Sequence, residues 1–185
     1  MQAGPLQGAI RIQRPECEKG LGVIIRSPDS GQLIEGVRVQ PFPVHPDDRG
    51  YFLEVARMGK DLVADFPAAT TQVSSALSYP GTIKAFHYHV RQTDFWVPAM
   101  GMLQVALVDL RPDSTTFGKR NTLYVGTLQP WQILIPPGVG HGYKVIGTGP
   151  ALLVYVTNRH YDPAEEGRIP HDDRKINYDW EIQHK

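Results

Sequence analysis

The chain has 185 residues and ordinary apolar content, which fits one domain, residues 1–185, with one sizeable core. Nineteen Lys and Arg balance nineteen Asp and Glu, and no segment concentrates basic side chains, so a nucleic-acid or anionic-membrane footprint is excluded. The single cysteine, Cys17, excludes an intramolecular disulfide and fits a reducing compartment. Charges at Arg11, Arg14, Glu16, Glu18, Lys19 and Arg26 leave no apolar stretch for a signal peptide, and no run approaches the ~18 apolar residues of a membrane span. The expectation is a soluble cytoplasmic protein.

Residues 1–30 are polar and read as an N-terminal arm or a partner-binding strand. Beyond them, Gly and Pro recur between short runs rich in Val, Ile, Leu, Tyr and Phe, the pattern of many short strands joined by turns. In chain order the expected strands are 50–56, 82–90, 102–110, 122–128, 132–136 and 151–157. Asp47-Asp48-Arg49-Gly50, Tyr79-Pro80-Gly81 and Pro136-Pro137-Gly138 mark turns between them. Short helices are expected at 60–66 and 163–167. This spacing favours an all-β sandwich, jelly roll or barrel over a parallel α/β sheet.

Chemistry gathers in the strand 82–90. A period of two places Ile83, Ala85, His87, His89 and Arg91 on one side, so two imidazoles look into the same space, with small Ala85 leaving room beside them. The pattern alone leaves open which side is the interior. Gly81, His87, His89, Asp94 and Gly101 have the spacing of the first cupin motif, with Asp in place of the usual Glu. Pro136-Pro137-Gly138-Val139-Gly140-His141 matches the Pro-x-Gly-x-x-His core of the second. Three imidazoles and one carboxylate suit a divalent transition metal. His45, His160, His171 and His184 lie in polar or loop contexts and read as solvated.

Further segments sharpen this. Asp48-Arg49-Gly50-Tyr51-Phe52-Leu53-Glu54, Val108-Asp109-Leu110-Arg111, Ser114-Thr115-Thr116-Phe117-Gly118, Ile135 through Tyr143, Tyr155, Tyr161-Asp162-Pro163 and Asp172-Asp173 ahead of Trp180 follow one another in order. In this the chain resembles the dTDP-4-dehydrorhamnose 3,5-epimerases, a branch of the cupins, from about residue 38 to residue 180. The resemblance implies a cupin jelly-roll β-barrel with a few short helices. It implies catalysis by His87, the base beside a sugar's C4 ketone, and Tyr155, the acid on the opposite face of the ring. It further implies nucleotide contacts from Arg49 and Glu54, a thymine contact from Gln72 and a phosphate contact from Lys84, with His89 and His141 lining the site. The implied partner is a nucleotide sugar, the implied assembly a homodimer paired through residues 22–40, and no cofactor is expected.

Three departures keep the mechanism open. The family's enolate-stabilising lysine falls at Asp94, the segment carrying its histidine-orienting aspartate has no counterpart, and Phe86-His87-Tyr88-His89 resembles the Phe-His-x-His of dTDP-sugar 3,4-ketoisomerases. Either His87 is a free base with His89 or His141 assisting it, or His87, His89, Asp94 and His141 hold a metal that polarises the ketone. The alternatives are a metal-dependent cupin enzyme and a non-catalytic sugar-binding cupin.

Overall fold

Alternating apolar residues become strands throughout the computed structural model, which describes residues 10–181; His184 lies outside them. The strands are β1 (Val23–Ile24), β2 (Arg38–Pro41), β3 (Val44–Asp47), β4 (Gly50–Leu53), β5 (Gln72–Ser78), β6 (Ile83–His89) and β7 (Asp94–Met100). They continue as β8 (Met102–Asp109), β9 (Arg120–Gly126), β10 (Trp131–Ile135), β11 (Val139–Ile146), β12 (Ala151–Thr157) and β13 (Glu166–Arg168). The fold is all-β, as expected. Of the two predicted helices, 60–66 shrinks to a 3-10 turn at Asp61–Val63 and 163–167 is a turn leading into β13. In the second case Gly167 must sit flat on the Tyr88 ring, where any Cβ would come within 2.0 Å of it, so the backbone is held extended against β6.

Two sheets carry the molecule, a six-stranded one in the order β1-β9-β8-β11-β6-β13 and a five-stranded one in the order β2-β10-β7-β12-β5. Between them Leu103, Val105, Leu107, Leu123, Val125, Val139 and Val145 of the first meet Trp96, Ile133, Ile135, Ala151 and Leu153 of the second. The outer face of the six-stranded sheet is also covered. Ala106, Val108 and Leu110 pack there with Phe86, Ile169, Ile176, Tyr178 and Trp180. That double cover is why β8 reads as a nearly unbroken apolar run: both of its faces are buried. On the outside of the five-stranded sheet Phe95, Val97, Leu134 and Val156 are capped by Phe42, Leu62 and Val63.

From Ile10 onward the polar N-terminal stretch is tied to this body. Gln13 N–H donates to the Leu110 carbonyl and Cys17 N–H to that of Lys175, both at 2.8 Å, and the Arg120 guanidinium donates to the carbonyls of Glu18 and Gly20. Within residues 22–40, expected to pair with a partner, β1 lies parallel to β9 and β2 antiparallel to β10. Both are edge strands, with one side open. The stretch 109–118 is a hydrogen-bonded knot. The Asp109 carboxylate, fully buried, accepts hydrogen bonds from Arg111, Ser114 and Thr116. Burial works against its charge, yet these donors hold its pKa below the usual carboxylate value.

One irregularity positions the site. Along the β6–β11 ladder His87 pairs with His141 and Lys84 with Tyr143, so three steps on β6 match two on β11. This is a β-bulge. It corrects the simple alternation: Lys84, His87 and His89 face the space between the sheets, whereas Ile83 and Ala85 pack outward with Phe86. Ala85 therefore leaves no room beside the histidines. The bulge needs Gly142 opposite it, because a Cβ there would meet Ala85 Cβ at 2.3 Å and the Lys84 carbonyl oxygen at 2.8 Å. Gly142→Ala is expected to cost about 1–3 kcal/mol by overpacking, read as a lower urea midpoint at unchanged m-value.

Candidate active site

A cavity of about 430 Å³ lies between the sheets, lined by both, within the usual size range for small-molecule sites. β6 contributes Lys84, His87 and His89, and β11 contributes His141 and Tyr143. From the other sheet come Asp94 and Trp96 on β7, Tyr155 and Thr157 on β12, and Gln72 on β5. His87, Tyr155, Gln72, Lys84, His89, Asp94 and His141 thus share one space. Arg49 and Glu54 do not. Arg49 projects from the turn between β3 and β4 and pairs with Asp47 at 2.5 Å. Glu54 pairs with Arg57 at 2.5 Å and borders a separate hollow of about 260 Å³ beside His45 and Lys60. His45, His160 and His171 are exposed.

His87 occupies the accessible part of the cavity, its side chain 39 % exposed. Burial lowers its pKa, the Glu166 carboxylate works in the opposite direction, and Arg168 and His89 push it further down. An imidazole neutral at working pH is the form that can accept a proton. Glu166 Oε2 stands 3.9 Å from His87 Nδ1, brought there because β13 pairs with β6, Arg168 opposite His87 and Glu166 opposite His89. Its other oxygen accepts from Arg168 Nε at 2.7 Å.

Deeper in, His89, Asp94 and His141 form a second group. His141 donates Nδ1–H to the Val139 carbonyl at 3.0 Å, and its Nε2 stands 3.6 Å from Asp94 Oδ2. Burial pushes its pKa down to about 4, with Asp94 opposing that shift. His89 Nε2 is 3.8 Å from Asp94 Oδ1, while its Nδ1 is 3.3 Å from Glu165 Oε2. Asp94 is further held by Gln92 Nε2 at 2.7 Å and Trp96 Nε1 at 3.2 Å. Among the described residues, the histidines and carboxylates that could hold a metal ion are these three, with ligand atoms within 4.8 Å of one another. His87 is not in that group. The four-ligand set expected from the sequence divides into His87, beside Glu166, and a group of three gathered around Asp94.

Sequence reasoning missed Glu165, Glu166 and Arg168, all inside or beside the supposed helix 163–167. The available signal was their place directly after Tyr161-Asp162-Pro163, one of the segments that carried the resemblance. Glu166→Gln is expected to lower kcat about tenfold with KM nearly unchanged. The ~4 kcal/mol that two unit charges 4 Å apart are worth near a protein surface is cut by the solvent that reaches His87, and only the protonated imidazole feels the loss. Steady-state kinetics of the variant checks it.

Comparison with known proteins places this geometry. The sequence model for dTDP-4-dehydrorhamnose 3,5-epimerase matches residues 32–185. The spore coat polysaccharide biosynthesis protein SpsL of Bacillus subtilis is similar at 44% identity, over 82% of this chain and 99% of its own. The dTDP-4-dehydrorhamnose 3,5-epimerase of Shigella flexneri is 29% identical over 76% of this chain and 79% of its own. Among solved structures, a His→Asn, Tyr→Phe double mutant of ChmJ, a 3'-monoepimerase from Streptomyces bikiniensis in complex with dTDP, superposes with a TM-score of 0.70 at 27% identity. It covers 80% of this chain and 76% of that one. A model match to well over half of the chain shows the family: this chain belongs to the dTDP-4-dehydrorhamnose 3,5-epimerase family.

Proposed function

We propose that the protein is a nucleotide-sugar epimerase or isomerase that acts on a dTDP-4-keto-6-deoxyhexose by removing a proton next to the ketone. The observation that carries this reading is the placement of His87 and Tyr155 on opposite sheets, both facing one cavity. A hexose ring held between them would have a base on one face and a phenol on the other. An imidazole takes the α-proton, and the phenol returns one to the other side of the enolate, inverting the carbon. Lys84 and Arg168 add positive charge to the cavity wall for a diphosphate. ChmJ, with dTDP bound and a histidine and a tyrosine replaced, supports the ligand class.

The test is incubation with a dTDP-4-keto-6-deoxyhexose in heavy water. Deuterium should enter at C3, C5 or both, detected by proton NMR, and absence of label at both carbons overturns the reading. Which carbons take label also separates a 3,5-epimerase from a single-site enzyme. We further propose a cytoplasmic homodimer. Val73, Leu77 and Tyr79 expose apolar area on and just beyond β5, an edge strand, which suits a second copy of the chain. In such a pair Arg49 and Glu54, remote from the cavity of their own chain, would serve the nucleotide end of the partner's site.

A further inference from the structure

We propose that His89, Asp94 and His141 form a binding site for one divalent transition-metal ion, distinct from the base His87 and open to the same cavity.

The case begins with hydrogen positions. A carbonyl only accepts, so the 3.0 Å contact between His141 Nδ1 and Val139 O fixes the proton on Nδ1. Nε2 of the neutral ring then presents a lone pair, and it points at Asp94 Oδ2, itself an acceptor, at 3.6 Å. His89 differs: its Nε2 faces Asp94 Oδ1 at 3.8 Å and the Gln92 amide nitrogen at 3.2 Å, and its buried Nδ1 stands 3.3 Å from Glu165 Oε2 without a hydrogen-bond partner among the described residues. The His141 lone pair and the Asp94 carboxylate, converging in a buried place, repel one another unless a cation lies between them, and His89 brings a third ligand atom within 4.8 Å of both. Both separations from Asp94 exceed the ~2.7–2.9 Å of a charge-assisted hydrogen bond, so a shared proton fits them poorly. They lie close to ~3.4 Å, the spacing of two atoms each ~2.1 Å from a tetrahedral centre.

The supports have the form that metal ligands need. His141 is oriented by a backbone carbonyl, and Asp94 by the Gln92 amide and the Trp96 indole. Two imidazoles and one carboxylate suit first-row divalent ions, with positions left for water or a substrate oxygen. All three residues are nearly buried, yet all line the cavity. A bound ion would supply, at position 94, the positive charge that an enolate requires and that a carboxylate alone denies it. The proposal relies on the epimerase reading only for that use; the binding itself stands or falls separately.

The test uses tag-free, chelator-treated full-length protein titrated with cobalt(II). The expected result is saturable visible absorption reaching one ion per chain, lost in His141→Ala and Asp94→Asn but kept in His87→Asn. Because Asp94→Asn can weaken the fold, a second measurement uses the wild type. Zinc at about 100 times its Kd should raise Tm by roughly 5–10 °C, reversed by chelator. Absence of both a saturable band and a Tm shift overturns the proposal. So does a band that survives the His141 and Asp94 substitutions, or one that disappears with His87. Deuterium exchange by metal-free protein would leave the epimerase reading intact, whereas metal binding without any exchange would remove that reading and keep the site.

Discussion

Replacing His87 by asparagine is expected to lower turnover of the proposed 4-keto sugar nucleotide by about 10²–10⁴-fold, the usual contribution of a general base, and to remove deuterium incorporation along with it. Asparagine keeps the polarity and approximate size of the ring, so the loss falls on kcat more than on KM. The fold tolerates the change because the side chain faces the cavity and its Nδ1 makes only a 3.9 Å contact with Glu166. The pH dependence follows from the same surroundings. The base works unprotonated, and burial sets its pKa below the ordinary imidazole value. Activity should therefore persist below pH ~6.5 and decline at lower pH as the ring gains its proton. In Glu166→Gln the influence that raises this pKa is lost, so the acidic limb should move to still lower pH. An unchanged limb would mean that Glu166 does not act on His87.

Tyr155→Phe is expected to separate two events that the wild type performs together. The phenylalanine ring still packs against Leu153 and the core between the sheets, so substrate should bind with little change in KM. His87 can still remove the α-proton and give it back on the same face, and deuterium should continue to wash in. Without a phenol on the opposite wall, formation of the inverted product falls by about 10²–10⁴-fold. Chiral analysis of the product alongside label counting checks this. Equal loss of exchange and inversion would show that Tyr155 does not act as a separate acid, and unchanged inversion would show that another group protonates the enolate.

Much of this site was legible before the fold. His87, His89 and His141 stand out through the spacing of two short motifs, and Tyr155 only through the resemblance to the epimerases. Strand β8 was readable because its residues are apolar on both faces. Strand β5 was not, because it is inverted: Gln72, Ser74 and Ala76 turn towards the interior, while Val73 and Leu77 face outward. A strand that lines a polar cavity loses the hydrophobic signature of burial. Strand β7 was hidden by Pro98, which sits at an irregularity in its ladder with β12, and β11 by Gly140, packed on Val108 and Leu110, and Gly142, packed on Ala85 of β6.

The constellation around His87 shows where sequence stops. Spacing determined that three imidazoles and a carboxylate belong together, because motif intervals survive whatever the backbone does between them. It could not determine which of them touch. That depended on one extra residue in β6, which turns Lys84 and His87 to the same side, and on β13, which returns 79 positions after His87 to set Glu166 beside it. Both are matters of register between strands. Register is fixed by hydrogen bonds and close packing across the sheet, here by Gly142 against Ala85 and Gly167 against Tyr88, and no local pattern of residues encodes it. The residue types set the available chemistry; the pairing of β6 with β11 and β13 separated His87 from the other three.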